Sequence, residues 1–352
     1  MNALDALIDD LTTRQIVPSI SLTVRVAGEE VYHRTRGLAR TSPPRRASPD
    51  QPYDLASVTK VLAGTAVLAS LVQDGTLSLH TPAAQHLPGV DPRVTIRHLL
   101  QHASGLPAWR KFYLEIDGLP YGTAHTRAHL YERIRSVPLI ADPGTTHIYS
   151  DIGFLWLLMI AERSTSTPFA QLFHERVTVP SGVVDLRWSW AGAAATEWPC
   201  PYRHIGIEGT VHDLNCAALG GVSTHAGLFG TSRAVAQLAE AFLESARENP
   251  LYSGLPGATL REFWSAVGPG SHRCGWDSVS RGGYTSTGRF FPDDALGHLG
   301  YTGTSVWMSP SRRTTIALLS NRVHPIDDPA PIRRVRPLIH DAVSTLLGWD
   351  RP

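Results

Sequence analysis

The sequence has no excess of charge of either sign. Its 32 lysines and arginines balance 31 aspartates and glutamates, and the formal net charge is +1. Proteins that bind nucleic acid or an anionic membrane surface usually carry a basic patch or stripe, whereas both signs are scattered here. We therefore expect neither a nucleic-acid partner nor a membrane partner.

Cysteines and long hydrophobic runs are scarce as well. The run from Gly153 to Ala161 is far too short to span a membrane, and the acidic N-terminus MNALDALIDDLTTRQ lacks the basic-then-apolar pattern of a signal peptide. The three cysteines, at positions 200, 216 and 274, are widely spaced, which suits reduced thiols in a reducing compartment. We expect a cytoplasmic protein, and the sequence leaves its oligomeric state open.

Several familiar catalytic motifs are also missing. There is no G-x-S-x-G elbow, no H-E-x-x-H, no P-loop and no G-x-G-x-x-G. Two residue pairs could be interpreted as metal ligands, His212 with Asp213 and Cys200 with His204, but no compact set of ligands accompanies them. We therefore expect neither a metal ion nor a cofactor.

What the chain does contain is a pattern of strands at both ends with helices between them. Apolar residues recur at helical spacing in residues 3–14, and residues 20–26 and 31–37 flank a turn as a hairpin. A second hairpin and a closing helix are predicted near the C-terminus, over residues 303–309, 314–321 and 332–347.

The middle of the chain is rich in loops and helices. A buried central helix is predicted over residues 58–72, and further helices are predicted near residues 96–101, 126–136, 152–163 and 232–246. The sequence therefore predicts an α/β (α+β) fold. In this prediction an antiparallel sheet formed by both termini and flanked by helices comprises residues 1–75 and 246–352, and a mainly helical domain, residues 76–245, is inserted into it.

The first candidate for chemistry is the stretch DLASVTK, residues 54–60. In a helix, positions three apart share a face, so that Lys60 can place its amine beside the Ser57 hydroxyl. A serine becomes a nucleophile when a neighbouring base takes its proton, and a lysine can do so if burial lowers its pKa. The alternative is a capping serine followed by a solvated lysine, which the motif alone favours.

A second candidate is Tyr149-Ser150-Asp151, at the mouth of the apolar helix predicted over residues 152–163. Tyr149 can point its phenol into a cleft, and a cationic lysine nearby would favour the phenolate, which makes Tyr149 a candidate base or proton shuttle. The alternative is an ordinary half-buried tyrosine, followed by Asp151 as the helix N-cap.

A third candidate is the turn His298-Leu299-Gly300-Tyr301, directly before the strand predicted over residues 303–309. Glycine beside an edge strand lets a substrate approach the backbone closely. A backbone N–H in this turn could form half of an oxyanion hole, with the N–H of Ser57 as the other half. Taken alone, the stretch is a glycine-rich turn with a surface histidine.

Together these three elements resemble the serine β-lactamase and penicillin-binding-protein superfamily, and most closely its class C-like, esterase-like branch. The resemblance rests on S-x-x-K at 57–60, Tyr-x-Asp at 149–151 and His-x-Gly at 298–300. It extends to the flanking segments IRHLLQHASGLPAW, PGTTHIYSDIGF, GTVHDLNCAALGGVSTHAGLFGT and ALLSNRVHP, and so covers nearly the whole chain.

The resemblance implies an acyl-enzyme mechanism in a site between the two domains. Ser57 would attack a carbonyl carbon, and Lys60 and Tyr149 would share the general-base and general-acid work. The N–H groups of Ser57 and Tyr301 would hold the oxyanion. Water, or another nucleophile, would then release the acyl group.

Two residues depart from the family pattern. Asp151 stands where β-lactamases and DD-peptidases usually carry Asn, and its charge beside Lys60 would hold that lysine protonated and shift the base role towards Tyr149. His298 stands where those enzymes carry Lys, and a mostly neutral imidazole would anchor a substrate carboxylate less well. Asp151 and His298 would lie beside Gly300 in the substrate site. Both departures favour an ester or a less ionic amide as the substrate.

Other residues in these segments have plainer interpretations. Trp109 and Phe112 follow the SGLP loop and could wall an acyl pocket, although core packing is equally consistent. His102 and His225 are expected to satisfy buried loop carbonyls rather than to perform chemistry.

Three functions remain open at this point. The first is a serine hydrolase that acts on a small ester or amide, with acyl transfer to an acceptor other than water as a variant. The second is a peptidase that releases D-amino acids, or a weak β-lactamase, on the same site. The third is a catalytically silent binding or sensing module, which the presence of Ser57, Lys60 and Tyr149 disfavours.

Overall fold

The computed structural model describes residues 3–116, 118–280 and 282–350. Its strands, in chain order, are β1 (Ser19–Val26), β2 (Glu29–Thr41), β3 (Pro44–Arg46), β4 (Tyr53–Asp54), β5 (Leu186–Arg187), β6 (Phe229–Gly230), β7 (Asp277–Ser278), β8 (Leu296–Leu299), β9 (Ser305–Ser309) and β10 (Thr314–Ser320). Seven of them form one sheet in the order β3-β2-β1-β10-β9-β8-β7, and the other three form a small sheet in the order β4-β6-β5.

The two ends of the chain meet in the middle of the large sheet. Strand β1 pairs antiparallel with β10, from Ile20 opposite Ser320 to Val26 opposite Thr314. The hairpin of β1 and β2 extends the sheet on one side, and β9, β8 and β7 extend it on the other. The predicted antiparallel sheet built from both termini is therefore confirmed.

Helices cover both faces of this sheet and form most of the remaining fold. They are α1 (Ala3–Thr13), α2 (Ala66–Gln73), α3 (Ile96–Leu100), α4 (Ala124–Arg135), α5 (Asp151–Thr165), α6 (Phe169–Phe173), α7 (Val179–Ser181), α8 (Leu214–Ala218), α9 (Ser232–Ala246), α10 (Gly257–Ser265) and α11 (Ala330–Leu346).

Alternation along the strands decides which helices pack on which face. In β1, Ile20 and Leu22 are fully buried in a cluster with residues of α1 and α11. Ser21 and Thr23 point to the opposite face, where each hydroxyl lies 2.8 Å from Oγ of Ser232 at the start of α9. Burial of an aliphatic side chain of this kind contributes roughly 1.5–3 kcal/mol. Helices α1 and α11 therefore stabilise one face of the sheet and α9 the other.

The helical segment that carries the first motif runs through the protein core. Its first turn, Ala56–Val58, is a 3₁₀-helix, Lys60–Thr65 form a π-helix, and α2 continues to Gln73. By length and composition alone, Ala56–Gln73 could cross a membrane, but 78% of it is buried inside the fold, as in an ordinary core helix. The buried central helix predicted over residues 58–72 is confirmed.

Most of the predicted helices agree with the structure to within two residues at each end, and the closing helix continues through Pro337. Helix α9 was assigned to the inserted domain, yet it packs against β1, β9 and β10 of the large sheet. The division into residues 1–75, 76–245 and 246–352 stays a prediction.

Candidate active site

Ser57 lies in a tight turn that a buried carboxylate holds in place. The preceding residue, Ala56, has a φ of +46°, which costs energy for a residue with a Cβ and is tolerated where the surroundings enforce it. Asp54, 2% exposed, accepts hydrogen bonds from the N–H groups of Ala56 at 2.8 Å and His212 at 2.6 Å. The sequence analysis missed this role of Asp54, although it stands in the quoted motif.

Lys60 is completely buried and contacts Ser57 directly. Its Nζ donates to Oγ of Ser57 at 2.9 Å and to the carbonyl of His225 at 3.2 Å, and it lies 2.7 Å from Oδ1 of Asp151. Burial by itself would lower the pKa of Lys60, but the negative charge of Asp151, together with Tyr149, outweighs it and raises the pKa above its ordinary value. The solvated lysine of the alternative interpretation is therefore wrong, and Lys60 is an ammonium at rest.

Tyr149 completes the group of side chains around Ser57. Its phenol interacts with both Ser57 and Lys60, each of which lowers its pKa, and the Lys60 ammonium lies 5.0 Å from the centre of its ring. Burial raises the pKa of Tyr149, and Asp151 adds to the increase, whereas Lys60 and Ser57 lower it by less. Lys60 therefore favours the phenolate, as expected, but burial outweighs its effect and Tyr149 is a neutral phenol at rest.

Helix α5 presents Asp151 to the lysine. Ser150, not Asp151, is the N-cap: its Oγ accepts the N–H of Gly153 at 3.0 Å. This leaves the Asp151 carboxylate, in the first turn of the helix, free to pair with Lys60. The interpretation of Asp151 as a cap was wrong, because the serine before it fills that position.

The third motif is bonded to the loop that carries Ser57. Oγ1 of Thr302 donates to the carbonyl of Asp54 at 2.7 Å, and Oγ1 of Thr304 donates to that of Leu55 at 2.9 Å. A Cβ at Gly300 would lie 1.9 Å from Oγ1 of Thr304 and 2.6 Å from the Leu55 carbonyl oxygen. Gly300 therefore allows the close approach that brings the Gly300–Tyr301 turn beside Ser57, where the predicted oxyanion donor stands.

His298 lies inside the protein, and the expectation of a surface histidine was wrong. It is 2% exposed, and its Nδ1–H donates to the carbonyl of Leu299 at 2.8 Å. Burial, with the nearby His272 and Lys60, holds the pKa of His298 well below its usual range, so the imidazole is neutral. One ring nitrogen each of His102, His272 and His298 lies within 4.8 Å of the others. Sequence reasoning missed this histidine cluster, because its members are far apart in the chain.

Of the two pairs considered as metal ligands, His212 and Asp213 interact with other side chains. Nε2 of His212 lies 3.5 Å from Oε1 of Glu197, and Oδ1 of Asp213 lies 3.1 Å from Nε2 of His225. This histidine also bonds Oγ of Ser223 through Nδ1 at 2.7 Å. His225 therefore pairs with a carboxylate and a hydroxyl rather than with the loop carbonyls that we expected.

Two cavities open beside Ser57, and the first is largely aromatic. This aromatic cavity has a volume of about 470 Å³, enough for a small organic molecule. Its walls include the side chains of Ser57, Trp109, Tyr113, Tyr149, Asp151, Tyr202 and Tyr301. Trp109 is 45% exposed and faces the cavity, whereas Phe112 is fully buried in the core. Of the two aromatic residues after the SGLP loop, Trp109 alone lines this cavity.

The second cavity, on the other side of Ser57, is rich in arginine. This arginine cavity, of about 480 Å³, is lined by residues that include Ser57, Tyr149, His298, Gly300, Tyr301, Arg322, Arg333 and Arg336. Arg322 pairs with Asp327, which also accepts the Tyr301 phenol.

Arg336 is the most deeply buried of these arginines. It is 6% exposed and donates through Nη2 to the carbonyls of Gly300 and Thr304. Its Nε has no hydrogen-bond partner among the described residues. Burial lowers the pKa of Arg336 to about 10. A buried guanidinium with no carboxylate bonded to it in the described part of the chain is suited to an anionic group in this cavity.

Comparison with known proteins gives a consistent result. A family model described as Beta-lactamase matches residues 4–340. A protein of Escherichia coli (strain K12) named "Putative D-alanyl-D-alanine carboxypeptidase" is 28% identical in an alignment of 351 positions that covers 89% of this chain and 80% of that protein. The N-acetylmuramyl-L-alanine amidase of Bacillus subtilis (strain 168) is 31% identical in an alignment of 314 positions that covers 79% of this chain and 69% of the amidase.

A solved structure shares the fold at lower sequence identity. EstCE1, described as a hydrolase with promiscuous acyltransferase activity, superposes with a TM-score of 0.73 at 20% identity and covers 97% of this chain and 98% of its own. A likeness at this identity concerns the fold. The substrate of this chain has to be argued from its own site.

Proposed function

Because the chain belongs to the Beta-lactamase family, we propose that it is a serine hydrolase that cleaves a small ester or amide through an acyl-enzyme on Ser57. The observation that carries the proposal is the 2.9 Å contact between Oγ of Ser57 and Nζ of Lys60, at the point where two cavities meet. The names of the amidase and of EstCE1 support a hydrolase of this kind.

The charges at rest assign different work to Lys60 and Tyr149. The Lys60 ammonium donates to Oγ of Ser57 and stabilises the alkoxide that develops there. The proton of Ser57 passes to Tyr149 in its phenolate form, which is a minor species at neutral pH and becomes more abundant as the pH rises. Tyr149 then gives this proton to the leaving group.

The remaining steps conserve atoms and charge. Oγ of Ser57 forms a bond to the carbonyl carbon, while the N–H groups of Ser57 and Tyr301 stabilise the oxyanion. Collapse of the tetrahedral intermediate breaks the bond to the leaving group and leaves the acyl-enzyme. Water, or another acceptor in the acyl-transfer variant, gives its proton to Tyr149 as it attacks, and Ser57 recovers its hydrogen when the acid is released.

The arginine cavity favours a second candidate, a peptidase that releases D-amino acids. Arg333 and the buried Arg336 lie beside the third motif, where the side chains could bind the carboxylate of a leaving amino acid. His298 by itself would bind this carboxylate only weakly, and Arg333 and Arg336 supply the positive charge that could bind it. The name of the E. coli relative is consistent with this candidate.

Intact-mass spectrometry after exposure to a fluorophosphonate tests the proposal. We expect an adduct on the wild-type protein and none on Ser57→Ala. A matched control is Ser70→Ala, on the same helix, where the hydroxyl contacts Arg176 and lies outside both cavities. Folded wild-type protein that reacts with neither a fluorophosphonate nor a penicillin would contradict the hydrolase and favour a binding or sensing module.

Substrate panels separate the two candidates. p-Nitrophenyl esters of graded chain length probe the esterase, and acylated D-alanyl peptides with a free or an amidated C-terminus probe the peptidase. If the arginine cavity binds a carboxylate, Arg333→Gln raises KM for the free acid by about tenfold and leaves the amide unchanged. A penicillin adduct that turns over would instead favour a weak β-lactamase.

A further inference from the structure

His102 binds the backbone on both sides of Tyr149. Its carbonyl oxygen accepts the N–H of Ile148 at 2.8 Å, and Nδ1 of its ring accepts the N–H of Ser150 at 3.0 Å. The residue is 1% exposed. One buried side chain and its own carbonyl therefore determine where the chain enters and leaves Tyr149.

The ring of His102 also packs against the tyrosine. The two ring centres are 4.5 Å apart, and the centre of the histidine ring lies 5.1 Å from that of Phe154 in α5. Phe154 in turn lies 5.5 Å from Nζ of Lys60. The histidine therefore contacts the side chain of Tyr149 as well as the backbone on either side of it. Through Phe154 it also belongs to the packing around Lys60.

His102 adopts an unfavourable backbone conformation to do this. Its φ is +54°, in the left-handed region that costs a residue with a Cβ about 1–3 kcal/mol. Conformations of this kind persist where the surroundings enforce them, and they cluster at functional sites. At His102 the two hydrogen bonds around Tyr149 are the contacts that accompany the strained conformation.

The same hydrogen bonds decide which histidines could bind a metal. A backbone N–H can only donate, so Nδ1 of His102 carries no hydrogen and the neutral ring keeps its hydrogen on Nε2. His298 has the opposite tautomer, because its Nδ1–H donates to a carbonyl and its Nε2 carries no hydrogen. A metal ion bound by the histidine cluster would need a bare nitrogen from each ring. In the neutral His102 the nitrogen without a hydrogen, Nδ1, already accepts the N–H of Ser150 and is not available to a metal ion, so the ring acts through its contacts with Ser150 and Tyr149.

We propose that His102 is a positioning residue that holds Tyr149 in line with Ser57 by accepting the N–H of Ser150. The inference rests on the proposed function, in which Tyr149 transfers the proton. Its central element is the acceptor at Nδ1, because a side chain that only fills space cannot hold Ser150. Burial keeps the pKa of His102 well below its usual range, so this acceptor persists across neutral pH.

Two substitutions separate the acceptor from the backbone conformation. Glycine and asparagine both tolerate a positive φ, and both remove the ring. Asparagine places its Oδ1 the same number of bonds from Cα as Nδ1 of histidine. We expect His102→Gly to lower the second-order rate of fluorophosphonate labelling by about a hundredfold, the usual effect of a 1 Å misplacement. We expect His102→Asn to regain at least about tenfold of that loss.

A double-mutant cycle shows whether the effect passes through the tyrosine. In a Tyr149→Phe background, where no phenol remains to be positioned, His102→Gly should change labelling by less than about threefold. His340→Asn is the matched control, because His340 is fully buried in α11 and its Nδ1 bonds the carbonyl of Ser286. It should lower the melting temperature and leave labelling unchanged.

The outcomes distinguish the inference from the proposed function. Wild-type protein that is never labelled contradicts both. Normal wild-type labelling with equal rates for His102→Gly and His102→Asn overturns the inference alone, as does an effect of His102→Gly that multiplies with that of Tyr149→Phe. Should His102→Gly fail to fold, a labelling rate of His102→Asn below about one hundredth of wild type refutes the role of the acceptor.

Discussion

Replacing Asp151 by asparagine should move the pH profile of the reaction to lower pH. Asp151 raises the pKa of Lys60 and also adds to the raised pKa of Tyr149. Asparagine has nearly the same shape and keeps an oxygen for the Lys60 ammonium, but it carries no charge. Removing the charge therefore lowers both pKa values, and the sign of the change is the same whichever group accepts the proton of Ser57.

The size of the change follows from the 2.7 Å between Nζ of Lys60 and Oδ1 of Asp151. At an effective dielectric constant of 20, unit charges at this distance attract each other by about 6 kcal/mol, and in water by about 1.5 kcal/mol. The Asp151 side chain is 20% exposed and that of Lys60 is fully buried, so the effect falls between these limits. With about 1.36 kcal/mol for each pKa unit, the expected fall in the pKa of Lys60 is about one to four units, and the pKa of Tyr149 falls in the same direction.

The assay is the rate of fluorophosphonate labelling from about pH 6 to about pH 10, and it compares the pH at which the rate of each protein stops rising. A base must be deprotonated to act, so labelling rises with pH through the pKa of that base. We expect the rising limb of Asp151→Asn to lie at least one unit below that of the wild type. Glu162→Gln is the matched control, since Glu162 pairs with Arg127 at 2.6 Å and lines neither cavity beside Ser57.

An unchanged limb in folded Asp151→Asn protein, or a limb that moves to higher pH, would refute the electrostatic reasoning. It would mean that neither Lys60 nor Tyr149 limits the reaction through its protonation state. A limb that moves equally in Glu162→Gln would show instead that net charge, rather than the contact with Lys60, sets the profile.

Three further predictions test other parts of the site. Gly300→Ala should reduce labelling by about a hundredfold, because its Cβ would meet Oγ1 of Thr304 at 1.9 Å; wild-type kinetics would contradict the close approach. Trp109→Ala should raise KM for long-chain p-nitrophenyl esters more than for acetate while kcat stays within about threefold, and a uniform change across chain lengths would contradict its place in the acyl site. Asp213→Asn should destabilise the protein by about 2 kcal/mol at neutral pH, because the pKa of Asp213 is lowered to about 2, with His225 outweighing the effect of burial. Denaturant unfolding should show that this difference shrinks as the pH falls from about 5 towards 2, and a constant difference would contradict the linkage.

The elements of the fold could be predicted from the sequence because they depend on local pattern. Alternation in residues 20–26 and helical spacing in residues 3–14 reflect which side chains are buried, and the structure buries Ile20, Leu22 and Ile8 accordingly. The contact between Ser57 and Lys60 could also be predicted, because a helical turn brings positions three apart together.

The charge states of the site could not be predicted in the same way. Whether Lys60 is neutral or charged depends on the balance between its complete burial and a carboxylate 2.7 Å away, and Asp151 is ninety-one positions further along the chain. The partners of His102 and the burial of Arg336 likewise arise where distant segments meet. No periodicity in the sequence reports such contacts, because they depend on tertiary packing.

Under the proposed function, the charges explain how the site can depart from the pattern of the resembling family and still act on an anionic substrate. Aspartate in place of asparagine, and histidine in place of lysine, each make the surroundings of Ser57 more negative by one charge at neutral pH. An unmodified carboxylate-binding site would lose affinity through both changes. Arg336 offsets part of this, since it brings a positive charge to the His298 side of the nucleophile and pairs there only with carbonyls among the described residues. Recognition of an anionic substrate would then depend on the arginines of α11 rather than on the third motif. We therefore expect a substitution at Arg333, in α11, to change the preference between charged and neutral substrates more than a substitution at His298 does.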